Sequence, residues 1–170
     1  YVKMGGIEML PDELIIESIA DALPITRKEI PATKKKKAVE RSSIDQRIDY
    51  RGIDLRTDEN QLMFKAQTVL VNAMRKYLLD KNFIEIHTPK LIGAASESGA
   101  DVFEVKYFDR NAYLAQSPQF YKQMMVGVFD RVFETGPVFR AEKHNTKRHL
   151  NEYTSLDFEM GYIDSFEEIM

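Results

Sequence analysis

The sequence contains no cysteine, no tryptophan and only three histidines. The first absence excludes a disulfide scaffold, thiolate metal sites and a cysteine nucleophile. It fits a reducing cytoplasm, which is the expected compartment. His87, His144 and His149 lack the spacing of a zinc site. No apolar run reaches the roughly 18 residues of a membrane span, so no membrane partner is expected. No basic-then-apolar leader follows Tyr1, so no secretory signal is expected. Neither Gly-x-Gly-x-x-Gly nor a P-loop occurs, so the common nucleotide fingerprints are missing. There is no internal repeat.

What is present has the balance of a globular protein. The 170 residues are 44% hydrophobic and 30% charged, enough for one domain or for one domain with part of another. The net charge of -3 is unevenly spread. Residues 61–150 carry 13 basic and 9 acidic side chains, whereas residues 151–170 carry six acids and no base. A mildly basic middle suits a polyanionic partner, but ordinary surface charge gives the same pattern.

Local patterns predict the elements. Residues 1–23 read as extended, with Leu14-Ile15-Ile16-Glu17-Ser18-Ile19 as their apolar, β-branched run. Residues 24–56 read as a hinge or linker, with Pro24, Pro31 and the solvated run Lys34-Lys35-Lys36-Lys37. Leu62, Ala66, Val69, Leu70, Ala73, Met74, Tyr77 and Leu78 recur at helical spacing and predict a helix over about 58–81, capped by Thr57. Phe83 to His87 alternates as a strand and stops at Thr88-Pro89. Ser117-Pro118 predicts a helix start, with Ser117 as cap. Further strands are expected at 131–134, 138–142 and 154–162, and a last helix from about Ser165.

Side-chain alternation brings chemistry to the last third. A strand over 138–142 would place Arg140 and Glu142 on one face. A strand over 154–162 would place Asp157 and Glu159 on one face, with Leu156, Phe158, Met160 and Tyr162 on the core side. The connection between them is long for a hairpin and holds Lys143, His144, Lys147, Arg148 and His149. One polar face would then carry an arginine, three carboxylates and a basic loop. A solvated face with cross-strand ion pairs reads the same way. Gln119 and Lys122, three apart, share a helix face.

These residues carry a resemblance. Phe139-Arg140-Ala141-Glu142, then Arg148-His149-Leu150, then Asp157 and Glu159 resemble motif 2 of the class II aminoacyl-tRNA synthetases. The helix at 58–81 with Phe83-Ile84-Glu85-Ile86-His87-Thr88-Pro89 resembles motif 1. Within that class, Gln116 to Gln123 and Arg140 to Thr146 are similar to the aspartyl enzymes of archaeal type. Pro118 and Ala141 separate the chain from the usual asparaginyl and lysyl patterns. An asparaginyl enzyme, a synthetase-like asparagine synthetase and a non-catalytic dimerisation or RNA-binding module stay as alternatives.

The resemblance implies an α+β fold, an antiparallel sheet flanked by helices. It implies that residues 1–23 end an N-terminal anticodon-binding barrel and that 57–170 begin the catalytic domain, with motif 3 expected beyond Met170. It implies ATP-dependent activation of L-aspartate and transfer to tRNA, with Mg2+ as the accompanying ion. Arg140 would be the catalytic residue, bridging the substrate carboxylate and the α-phosphate. Glu97, Gln119, Lys122, Arg140 and Asp157 would bind the amino acid. Arg140, Glu142, Arg148, His149 and Leu150 would bind ATP. Asn145 and Thr146 would touch the tRNA acceptor end, Glu159 the magnesium–phosphate network, and Pro89 a homodimer interface.

Overall fold

The computed structural model describes residues 10–33, 36–95, 101–144, 146 and 148–170. The chain forms two compact units, Tyr1–Met63 and Phe64–Met170.

The first unit holds a β1 (Arg27–Thr33) and β2 (Lys36–Arg41) antiparallel hairpin, then α1 (Ile44–Asp49) and α2 (Arg51–Asp54). The stretch expected as a linker therefore contains secondary structure. Polar contacts organise it, which is why no apolar period announced it. The Ser43 hydroxyl accepts the Gln46 amide at 3.2 Å and caps α1. Buried Asp54 accepts from Arg47 Nε at 2.8 Å and from Arg51 Nη1 at 3.0 Å, and its carbonyl accepts from Asn60 at 2.7 Å. The hydrogen bond from Arg47 holds the Asp54 carboxyl below the usual carboxylate value, against the opposing effect of burial. Residues 14–19 are not hydrogen-bonded as a strand, and Ile19 is 90% exposed.

The long helix α3 (Asp58–Asp80) forms where its periodicity predicts. The Thr57 hydroxyl, at the start of this helix, donates to the Asp54 carbonyl at 3.0 Å. Of the apolar stripe, only Leu78 is buried, and Val69 is 69% exposed.

In the second unit, β3 (Ile84–Glu85), β7 (Arg131–Phe139) and β8 (Glu152–Met160) form one sheet in the order β3-β7-β8. The β7–β8 pair is antiparallel, as expected, but β3 runs parallel to β7. A second, antiparallel sheet has the order β4-β6-β5, with β4 (Leu91–Ile92), β5 (Glu104–Tyr107) and β6 (Arg110–Leu114). Helix α4 spans Gln119–Phe129. Pro118, not Ser117, occupies its cap position. A short 3-10 helix, Phe166–Ile169, follows Ser165, which closes a capping box with Glu168.

Two strands expected at 131–134 and 138–142 are one strand, and it ends at Phe139. Pro137 does not interrupt it. The Phe139 amide points away from β8, to the Ala115 carbonyl at 2.9 Å. Alternate residues share that side, so the N–H that Pro137 lacks would not have bonded to β8. The Arg140 amide still reaches across to Asn151 O at 2.9 Å, but the Glu142 amide, next on that side, turns back to Arg140 O at 2.8 Å. That turn ends the ladder and leaves Glu142 outside it.

The two faces of β7–β8 divide core from site. Phe133, Leu156 and Met160 lie on one face and pack with Leu78 and Phe83. Phe158 meets Phe83 edge-on, with ring centroids 5.8 Å apart. Each fully buried aliphatic or aromatic side chain contributes roughly 1.5–3 kcal/mol. Tyr162, expected on the core face, is exposed at φ 59° beyond the end of β8. The other face carries Val132, Glu134 and Val138 opposite Glu159, Asp157 and Tyr153.

Candidate active site

On that second face, α4 delivers Lys122. Its side chain is buried, with 4% of the residue exposed. Its ammonium bonds to Asp157, and Glu159 lies 3.2 Å away. An ammonium this buried needs such partners, because an unpaired charge would be costly there. Strand alternation aims both acids at one face, and α4 supplies the cation. Gln119 sits one turn before Lys122, half-buried at the start of the helix. Buried Gln116 leads into it.

Arg140 and Glu142 are half-buried in the segment just past β7. They are held by backbone bonds rather than by strand alternation. The Glu142 amide donates to Arg140 O at 2.8 Å. With its nitrogen turned to those carbonyls, the Asn151 side chain donates to Glu142 O at 2.9 Å and to Arg140 O at 3.1 Å. Glu142 Oε2 stands 3.8 Å from His149 Nε2. His149 Nδ1 is 2.6 Å from the Thr146 hydroxyl, and its ring lies 5.2 Å from that of His144. Arg148 and Leu150 are exposed on the same loop.

The structure thus joins Lys122, Asp157 and Glu159 directly, and joins Glu142, Thr146 and His149 along one loop. Pro89 is exposed beside Thr88. Glu97 and Asn145 lie outside the described residues. Among the described residues, no three ligating side chains converge on a cation site. Asp157 and Glu159 are two carboxylates already engaged by an ammonium, so they do not form a magnesium site by themselves. Sequence reasoning missed Glu134, a buried acid in an otherwise apolar strand run. That mismatch was its available signal.

The profile of the family described as tRNA synthetases class II (D, K and N) matches residues 43–170. The chain belongs to the class II tRNA synthetases. Among its relatives in this family is an aspartate–tRNA(Asp/Asn) ligase from Methanopyrus kandleri, 47% identical over 98% of this chain and 37% of that protein. Another is an aspartate–tRNA(Asp) ligase from Picrophilus torridus, 50% identical over 94% of this chain and 36% of that protein. This synthetase chain therefore spans little more than a third of the length of these relatives. An asparaginyl-tRNA synthetase from Pyrococcus horikoshii, solved with asparaginyl-adenylate, superposes with a TM-score of 0.69. It is 37% identical and matches 72% of this chain and 28% of its own. An aspartyl-tRNA synthetase from Entamoeba histolytica gives a TM-score of 0.62 at 43% identity, over 80% and 24% of the two chains. The expected α+β class holds, with a mixed rather than wholly antiparallel main sheet. Among the described residues, no helix is long and apolar enough to cross a membrane.

Proposed function

We propose that the chain belongs to an aspartate–tRNA ligase. The α-carboxylate of L-aspartate attacks the α-phosphorus of ATP and releases pyrophosphate. The terminal hydroxyl of tRNA then attacks the acyl carbon of aspartyl-adenylate and releases AMP. The amino acid is its own nucleophile, so the chain needs no serine or cysteine for attack. Its work is positioning and charge stabilisation.

Lys122 is the observation that carries the reading. A buried ammonium suits a side-chain carboxylate and penalises the neutral amide of asparagine, because a polar site left unpaired discriminates by about 10⁴-fold or more. Asp157 and Glu159 hold that ammonium in place until the substrate shares it. Gln119 and Glu97 complete amino-acid binding, with Glu97 facing the α-ammonium. Arg140 bridges the reacting carboxylate and the α-phosphate through paired bonds. Glu142 accepts from the adenine amino group, Arg148 and His149 hold the outer phosphates, and Leu150 shapes their pocket. Asn145 and Thr146 face the tRNA acceptor end. Glu159, beside Asp157 on the Lys122 ammonium, would join a magnesium–phosphate network only together with phosphate oxygens of ATP, where the ion would offset phosphate charge.

The assembly is a homodimer through the α3–Pro89 region, and the exposed Val69, Leu70 and Tyr77 support it. Residues 1–23 close an anticodon-binding barrel, 24–56 form a structured hinge, and 57–170 begin the catalytic domain. Cytoplasmic tRNA charging is the setting. The asparaginyl reading keeps one supporting observation, the likeness to the Pyrococcus horikoshii enzyme. Aspartate-dependent exchange of pyrophosphate into ATP by the full-length protein tests the proposal.

A further inference from the structure

Glu134 sits in the middle of β7 and is 3% exposed. Its carboxylate meets donors from one short segment. Oε1 accepts the Thr88 amide at 2.8 Å. Oε2 accepts the Thr88 hydroxyl at 2.7 Å and Lys90 Nζ at 2.8 Å. Lys90 Nζ also donates to Thr88 Oγ1 at 3.0 Å. A charge this deep persists when it is paired and hydrogen-bonded, and here both conditions hold. Glu134 therefore ties residues 88–90 to β7.

Two links connect this tie to the site. The first is a run of backbone bonds. Lys90 O accepts the Ala115 amide at 2.9 Å, and Ala115 O accepts the Phe139 amide at 2.9 Å. Ala115 leads directly into the segment carrying Gln119 and Lys122, and Phe139 directly precedes Arg140. The second link is electrostatic. Glu134 stands opposite Asp157 across the β7–β8 pair. Directly opposed residues share a face, and like charges there repel. Lys90 balances Glu134, so Lys122 is left to Asp157 and Glu159.

We infer that Glu134, Lys90 and Thr88 form a positioning clamp for amino-acid recognition. It sets the placement of Lys122 and Arg140 without touching substrate. The inference rests on the aspartate-activating reading above. A small misplacement at a reacting centre can cost about 10²-fold in rate, so a clamp this short is enough to matter.

The test uses the full-length protein and pyrophosphate exchange, with active sites counted by adenylate burst. Thr88→Val and Lys90→Met are each expected to raise the aspartate KM by roughly 10- to 100-fold. The ATP KM should rise less than the aspartate KM, because Arg140 alone among the ATP contacts follows the clamp. Thr88→Ser, which keeps the hydroxyl, should restore the wild-type aspartate KM. Thr88→Val replaces only a hydroxyl with a methyl, so it decides the matter should Lys90→Met be insoluble. An unchanged aspartate KM, with loss only in the number of active sites or in Tm, would overturn the clamp. No aspartate-dependent exchange by the wild-type protein would overturn the activity reading and the clamp together. Wild-type exchange with unmoved variants would overturn the clamp alone.

Discussion

Glu134 and Asp157 oppose each other across β7 and β8, and each carries its own lysine, Lys90 on Glu134 and Lys122 on Asp157. The two ion pairs come from different parts of the chain. One anchors the segment that carries Pro89. The other presents a cation to the candidate amino-acid pocket. That sheet face sets three carboxylates against two lysines, and on the opposite face Phe133, Leu156 and Met160 pack with Leu78 and Phe83.

Replacing Lys122 with Met should remove the partner of the aspartate side chain. We expect kcat/KM for aspartate in pyrophosphate exchange to fall by at least about 10²-fold, with a smaller loss for asparagine. The ratio of the two amino acids is the quantity to measure. Equal losses for both would remove Lys122 from specificity.

Gly161 packs where a side chain does not fit. A Cβ at this position would lie 2.7 Å from Val126 Cγ1 on α4. Gly161→Ala should cost about 1–3 kcal/mol, read as a lower Tm. Val126→Ala in the same protein should recover part of the loss, because it removes the clashing methyl. A double variant no more stable than Gly161→Ala would contradict this packing.

Asp54 links stability to pH. Its folded-state pKa lies below the ordinary value, chiefly through the hydrogen bond from Arg47. A depressed carboxylate adds stability above the unfolded-state pKa of about 4, and that stability is lost as pH falls through the folded-state value. Asp54→Asn should therefore lower Tm near neutral pH, and the gap from wild type should close below about pH 4. Thermal melts across the acid range check this. A gap that widens on acidification would contradict the sign.

Much of this was legible where one face of an element is buried or one residue type repeats. The α3 boundaries follow from its apolar period and its acidic first turn. The alternation in β8 separates Asp157 and Glu159 from Leu156 and Met160, because one face packs on Phe133 and the other meets Lys122. The β5–β6 hairpin was not legible. Its turn is Phe108-Asp109, with Phe108 at φ 55°, and neither asparagine nor glycine marks it. The strand β7 looked broken because Gly136-Pro137 reads as punctuation. Only the direction of neighbouring amides shows why proline is tolerated there. The helices α1 and α2 inside the expected hinge were not legible, because Arg47, Arg51 and Asn60 gather around Asp54 without any apolar period. Glu134 was missed because its partners lie 44 and 46 residues away in the chain.

The most direct measurement is amino-acid-dependent exchange of pyrophosphate into ATP by the full-length protein. Aspartate, asparagine and lysine would be compared side by side, with Arg140→Ala as the control. The account predicts exchange driven by aspartate at least about 10²-fold better than by asparagine or lysine, and reduced roughly 10²- to 10³-fold by the substitution, the cost of losing one charge-stabilising donor. No exchange with any of the three from a folded protein, or exchange driven equally well by asparagine, would contradict it.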